Sequence, residues 1–572
     1  MNQYLTIIHN RNYTEWSFFI DDKSKQTPIN LPISPLDQKL FSKDIIRYDD
    51  ETSFSLIHSE VRSGISYAGI LLLEQNKTFG RNQSNKRLLY KCIPDDKHLP
   101  AFLIPYEVKL GFNKKLKNKF VIFKFHHWDN QHPYGILTET LGDIDQLPIF
   151  YEYQLYCKSL HISLTDFTNN ARDQLKKRSE EEYIQQIIKN PNFHIEDRRN
   201  IRNIFTIDPE NSNDFDDAIS ITPLDNNTYK ISIYIANVYF WLETLNLWKS
   251  FSKRVSTIYL PDKKRPMLPS ILSDNLCSLQ EGQPRFAFAI DYIINASGEI
   301  ISHEFHNVVI NVSKNYRYEE HKLIYDNSEY KFLLDITNKM DNSISDSHDV
   351  IAFWMIKMNT VCGEYLASKK IGIFRQASFT KTITDLPNIS SLDPNTKRII
   401  QMWNNIAGQY IIYDDNIEIH HDIMKCSNYI HITSPIRRIV DILNQMWMSI
   451  SLGFIENISS NADEFLQYWL TNIGFMNISM RSIRKIQTDC NVLHKCFTDN
   501  TIMQNIHKGI IFDKMQNNNG TFSYVVYLTE LKLLSRLKTY SEYDNYMTYS
   551  FKLFLFENEQ SMKKKIRVQI VN

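Results

Sequence analysis

The stretch FTIDPENSNDFDDAISI, Phe205 to Ile221, constrains this chain more than any other part of it. Asp208, Glu210, Asp214, Asp216 and Asp217 fall within ten residues, bracketed by strand-forming apolar runs. Two full charges about 4 Å apart repel by roughly 4 kcal/mol at an effective dielectric of 20. Gathered carboxylates must therefore take up protons, separate into water, or share a cation. Separation as a solvated acidic turn is the simplest solution. An EF-hand is excluded, because counting from Asp208 puts Asn213 where glycine is needed and Ile219 where glutamate is needed. Asp216 and Asp217 would point to opposite faces of a regular strand. An irregular loop between the runs FTI and AISI could instead fold the four aspartates around one centre. Oxygen ligands of that kind suit magnesium, and two such ions about 4 Å apart can drive phosphodiester cleavage. The stretch alone leaves the acidic turn and the metal centre both open.

With 572 residues the chain has room for several modules of about 100–150 residues. Its 65 basic and 65 acidic residues cancel, so any polyanion must be held by local basic surface. The seven cysteines form no C-x-x-C pair, which speaks against zinc and suits a reducing compartment. No run is apolar and long enough for a signal peptide or a bilayer span, so a cytoplasmic protein without a membrane partner is expected.

Residues 1–165 alternate in short strands punctuated by Pro, Gly, Asn and Asp, a pattern that predicts small OB-type β-barrels. Residues 167–190 read as the first helical stretch. Strands return over 200–310, helices follow beyond 345, and 505–572 reverts to strands of barrel size. Ile351, Met355, Met358, Cys362, Tyr365 and Leu366 form one apolar helical stripe. The histidines of HHWDNQH (His126, His127, His132) and of EIHHD (His420, His421) read as loop or surface residues. KKLKNK (114–119) reads as a charged turn, and the tail KKKIRVQIVN as either an RNA-contacting strand or a solvated edge.

Three blocks occur in a telling order. FTIDPENSNDFDDA is followed by STIYLPDKKRPMLPSILSDNLCSLQEGQPRFAFAI (256–290) and by NYIHITSPIRRIVDIL (428–443). Together they resemble the RNase II/RNase R exoribonuclease family, and the form with Pro209 looks most like the hydrolytic subunit of the eukaryotic exosome. The resemblance spans roughly 170–500, and HPYGILTETLGDID (132–145) is similar to the cold-shock barrel that precedes the catalytic domain in that family. It implies an α+β architecture: an RNB catalytic domain over 169–503, cold-shock-like barrels over 1–64 and 65–168, and a degenerate C-terminal OB barrel over 504–572. The implied activity is processive 3′-to-5′ hydrolysis of single-stranded RNA to nucleoside 5′-monophosphates. Mg²⁺, as two ions, is the implied cofactor, with Mn²⁺ as a substitute; protein partners are not identified.

The same resemblance implies roles for single residues. Asp208, Asp214, Asp216 and Asp217 match the metal-binding aspartates, and Arg437 matches the arginine on the scissile phosphate. Tyr259 and Tyr318 match tyrosines that meet the RNA, and Lys263, Lys264 and Arg265 supply basic character beside Tyr259. Arg438 is a further RNA-binding candidate, with a role in folding as the alternative. This chain also departs from the pattern. Ala352 or Phe353 and Gln487 stand where the family has supporting glutamates, Asn237 where it has an acid, and Gln445 where it has a histidine. The stretch between Tyr318 and Asp349 is short and lacks the segment that clamps the terminal base. A weakened family member that binds RNA or scaffolds a complex is the competing expectation.

Overall fold

The computed structural model describes residues 3–20, 27–48, 54–108, 115–225, 227–376, 392–393, 396–397, 399–400, 403, 408–415, 420–421, 426–517, 519–558 and 563–571. The chain divides into two compact units. The first comprises Met1–His161, Leu260–Asp262 and Lys485–Asn572, and the second Ile162–Tyr259 and Lys263–Arg484.

In the first unit, strands between Gln3 and His58 form a four-stranded antiparallel sheet. Residues 66–143 close into a five-stranded barrel. Its first strand, Ser66–Leu71, pairs with both the second and the fourth, and its third and fifth strands meet in parallel. That is the Greek-key connectivity of an OB barrel. Gly69 and Gly135 permit the closure, since a Cβ at either would press on the Phe123 ring. Residues 507–571 form a five-stranded sheet in which the first strand is central and the third and fifth are the edges. This is the same neighbour order opened along one seam. The KKKIRVQIVN tail supplies its last strand, Lys563–Val571, where Lys563 pairs with Asp95 and Arg567 lies 3.6 Å over Phe556. Within the charged turn near 114–119, Lys117 and Lys119 pair with Asp145 and Asp143. His127 stacks on Tyr134, while the side chains of His420 and His421 lie outside the described residues.

The second unit opens with two helices, Thr165–Leu175 and Glu180–Ile188. The helical stretch expected over 167–190 is thus broken, because Ser179 starts a new helix through a capping box with Glu182. A seven-stranded sheet follows, built from β1 (Glu196–Asp197), β2 (Phe205–Asp208), β3 (Asp217–Pro223), β4 (Thr228–Ala236), β5 (Pro284–Asn295), β6 (Ile300–Asn311) and β7 (Lys314–Arg317). Their spatial order is β1-β6-β5-β4-β3-β2-β7. The central strands β4 and β5 are buried nearly throughout, as their apolar runs require. Ile231, Ile233 and Ile235 face a core completed by the helices Ser328–Met340, α1 (Ser347–Ser368) and α2 (Ile439–Ser451). Four of the six residues in the expected stripe of α1 are buried, and Met355 and Tyr365 pack at its margin. Inside α1, Gly363 lies so close to the Asn428 carbonyl oxygen that a Cβ would collide with it. This seats Asn428, at the start of the third block, against the helix.

Candidate active site

The acidic loop runs from the end of β2 to the start of β3, so Asp208 and Asp217 are both strand-end residues. Between them the chain leaves the pleat. Asn211 has φ of 71°, and the Ser212 amide bonds to the Pro209 carbonyl. Ser278, from the second sequence block, stitches the loop down: its Oγ accepts from the Phe215 amide and donates to the Asn213 carbonyl. The third block closes over the same loop, with the Ile436 amide donating to Asp216 Oδ1 at 2.9 Å and Arg437 Nε to Oδ2 at 3.1 Å. The second and third blocks are joined by bonds from the Thr257 amide and the Ser256 hydroxyl to the Arg437 carbonyl. Three motifs far apart in sequence therefore meet at one point.

Each acid solves the repulsion problem differently. Asp216 is held by Ile436 and Arg437. Asp214 accepts from Lys264 Nζ at 3.0 Å, and the same ammonium lies 3.0 Å from Asp274 Oδ1. Asp208 sits in register with Arg317 on the neighbouring parallel strand β7, and the Arg317 guanidinium stacks over Phe215. Asp208 Oδ2 is buried with no hydrogen-bond partner. The Asp217 carboxylate has no hydrogen bond among the described residues. Burial pushes Asp216 up to about 7 even though Arg437 and the Ile436 amide favour its charged form. Burial also raises Asp208, against a hydrogen bond from Thr206 and with Asp216 adding to the rise, and it raises Asp217, with Asp208 adding to the rise. Burial works against the Lys264 charge, but the bonds to Asp274 and Asp214 outweigh it and raise the ammonium above its usual range.

Among the described residues, no group of three or more His, Cys, Asp or Glu side chains is placed to hold a metal ion. Magnesium, however, is commonly held by one or two carboxylates together with water and substrate phosphates. An unpartnered buried carboxylate oxygen on Asp208 next to Asp217 fits a hard dication in donor type and in charge. Of the four aspartates expected to share metal, Asp214 and Asp216 already carry protein cations.

Other expected site residues separate into two groups. Arg437 keeps 46% of its side chain exposed; Nε is on Asp216 and Nη2 on Ser434 Oγ, and Nη1 has no partner among the described residues. Tyr259 is 41% exposed on the short strand Ile258–Tyr259. Tyr318 donates its backbone amide to the Asp208 carbonyl, and its ring stacks on His348 with centroids 3.6 Å apart. Lys263 is exposed. Arg265, by contrast, is buried and bonds to the Lys263 carbonyl, and Arg438 turns to Asp441 at 2.8 Å, where the Ser434 amide also binds. Both serve the local fold. Lys264 faces acids rather than open surface.

The positions that depart from the family pattern differ in burial and in partners. Phe353 packs edge-on against Trp354 and Ala352 is exposed, both on α1. Gln445 bonds to the Ala236 carbonyl, and Asn237 accepts from the Tyr239 amide. Gln487 lies half-buried on the helix Ile473–Thr498. Sequence reading missed Asp274, Ser278, Arg317 and His348. Ser278 and Asp274 lay inside a recognised block, and Arg317 beside Tyr318, but nothing in their spacing signals contact with the acidic loop.

The fold and this junction define a class: an RNB-type domain accompanied by small OB-type barrels. Comparison with known proteins agrees. Residues 195–333 match the RNB domain. The chain is 30% identical over 289 residues to DIS3-like exonuclease 2 of Schizosaccharomyces pombe, covering 48% of this chain and 30% of that protein. It is 26% identical over 314 residues to Ribonuclease R of Chlamydia pneumoniae, covering 43% and 46%. These matches span less than half the length of either relative. The structure of Mycoplasma genitalium RNase R in complex with ribose-methylated single-stranded RNA superposes with a TM-score of 0.67 at 17% identity, over 99% of this chain and all of that one. Yeast Ssd1, a pseudonuclease, shares the fold at a TM-score of 0.55 and 14% identity, over 96% and 80%. By this RNB domain and these relatives, the chain is similar to the RNase II/RNase R family. Among the described residues, no helix is long and apolar enough to cross a membrane.

Proposed function

We propose that this chain is a divalent-metal-dependent exoribonuclease that shortens single-stranded RNA processively from its 3′ end and releases nucleoside 5′-monophosphates. The observation that carries the reading is the meeting of the unpartnered Asp208 Oδ2 and the Asp217 carboxylate with the half-exposed guanidinium of Arg437. Asp208 and Asp217 would hold the ion, Mg²⁺ or Mn²⁺, which supplies a water of lowered pKa and charge for the leaving oxygen. Asp216 orients Arg437, and the free face of its fork suits a phosphate as a bidentate partner. The stacked Tyr318 and His348 rings stand beside the Asp208 backbone, where a terminal nucleotide would lie. Exposed Tyr259 and Lys263 suit a single strand by stacking and by charge. A cytoplasmic setting suits Cys92, Cys157, Cys277, Cys362, Cys490 and Cys496, which are free thiols.

A second reading, an RNA-binding protein with little or no cleavage, is favoured by the apolar and amide residues at Phe353, Gln445 and Gln487, and by the pseudonuclease that shares the fold. One experiment separates the two. RNA labelled at its 5′ end is incubated with the full chain, with Mg²⁺ or with chelator, alongside Asp217→Asn. Progressive shortening that needs metal and is lost in Asp217→Asn supports the enzyme. Binding without shortening supports the second reading.

A further inference from the structure

Among the described residues, Lys264 is the cation placed between two acids of the centre that belong to different motifs. Its ammonium stands 3.0 Å from Asp214 Oδ1 in the acidic loop and 3.0 Å from Asp274 Oδ1. Both partners are anchored. Asp274 sits on the five-residue π-turn Leu272–Leu276, closed by the bond from the Cys277 amide to the Leu272 carbonyl. Its Oδ1 also accepts from the Ser273 hydroxyl. Asp214 is held by the stitching of the flanking Asn213 and Phe215 to Ser278. Lys264 itself extends from a short strand, Lys264–Arg265, paired with Ile258–Tyr259, and its neighbour Arg265 is buried. The ammonium is thus delivered to the acids by ordered backbone on three sides. A dication placed between Asp214 and Asp274 would have to displace it.

We propose that Lys264 is a resident cation of this centre, neutralising Asp214 and Asp274, so that the acid cluster takes up one divalent ion at Asp208 and Asp217 instead of two. The inference rests on the site assignment made under Proposed function and deepens it. The two remaining carboxylates behave oppositely to the Lys264 pair: Asp208 Oδ2 is buried without a partner, and no protein donor among the described residues reaches the Asp217 carboxylate. A charge built into the chain also differs from a second metal in being present at every metal concentration. Lys264 is accordingly a positioning residue that keeps Asp214 in place, not a group that meets substrate.

The test counts Mn²⁺ bound to the full chain without RNA, by electron paramagnetic resonance of free and bound metal up to low millimolar concentration. One ion is expected for the wild type, for Lys264→Arg and for Asp214→Asn. Two ions, the second weaker, are expected for Lys264→Gln, and one again when Asp214→Asn is added to it. Two ions in the wild type, or loss of an ion in Asp214→Asn alone, would overturn the inference whether or not Lys264→Gln folds. An unchanged count of one in folded Lys264→Gln would overturn it as well. Asp208→Asn checks the underlying site separately: it should take the wild-type count from one to none. If Asp208→Asn keeps its ion, the site assignment fails and the inference with it. If only the Lys264 variants misbehave, the site assignment stands and the inference alone is lost.

Discussion

Replacing Arg437 with alanine isolates what the guanidinium does. Its Nε is committed to Asp216 and its Nη2 to Ser434, which leaves the Nη1 side for a phosphate. A hydrogen bond to a charged group contributes about 1.5–3 kcal/mol, and one that strengthens as charge develops on the phosphate belongs to the transition state. Loss of a single preorganised donor of this type typically slows turnover by about 10²–10³-fold, or about 3–4 kcal/mol. Asp216 would also lose the cation that favours its charged form, which pushes its carboxyl further up. The Ile436 amide would still hold it in place. RNA affinity should change little, because one phosphate contact among many alters the salt slope by about one unit. Arg437→Lys should be intermediate, since a lysine keeps the charge and loses the fork. Shortening of 5′-labelled RNA gives the rate, and fluorescence anisotropy of a 2′-O-methylated strand gives affinity. Equal losses in rate and affinity for Arg437→Ala would refute the role assigned to this residue.

Two further outcomes concern stability. Gly363→Ala should destabilise the second unit by about 3 kcal/mol or more, the upper end for overpacking, because the new Cβ meets backbone that cannot yield; a urea midpoint unchanged from wild type would contradict this. Asp291→Asn removes the partner of the buried Arg198 guanidinium, 2.9 Å away, and should cost about 3 kcal/mol at neutral pH, the low end for a broken buried pair because Glu196 also binds Arg198. Burial alone would raise the Asp291 carboxyl, but the bonds from Arg198 and Ser232 bring it below its usual range. Its contribution is therefore present above the unfolded pKa of about 3.9 and fades as pH falls through the lowered folded value. Wild type and Asp291→Asn should converge in denaturation midpoint in strong acid, and a constant gap down to the lowest pH would count against the pairing.

Much of this molecule is legible along the chain, because the relevant information is local. Alternation over 66–143 announces a barrel, continuous apolar runs announce the buried strands β4 and β5, and the three blocks announce the likeness to RNB-domain proteins. Those signals depend on periodicity and residue type, which survive without knowledge of neighbours. Even the break at Ser179 had a local marker in the Ser179/Glu182 spacing.

Partner choice is different in kind. Nothing in DKKRP distinguishes Lys263, which is exposed, from Lys264, which is held between two acids, or from Arg265, which is buried. Strand pleat and the hairpin's placement against the acidic loop make that distinction, and both arise from contacts 10 to 50 residues away in sequence. The same holds for the four aspartates. Their clustering is visible in the order of residues, whereas the division between Asp214 and Asp216, which carry protein cations, and Asp208 and Asp217, which do not, follows from where Lys264 and Arg437 arrive in space. Electrostatic pairing falls off with distance through space rather than along the chain, so folding alone assigns each charge its neighbour.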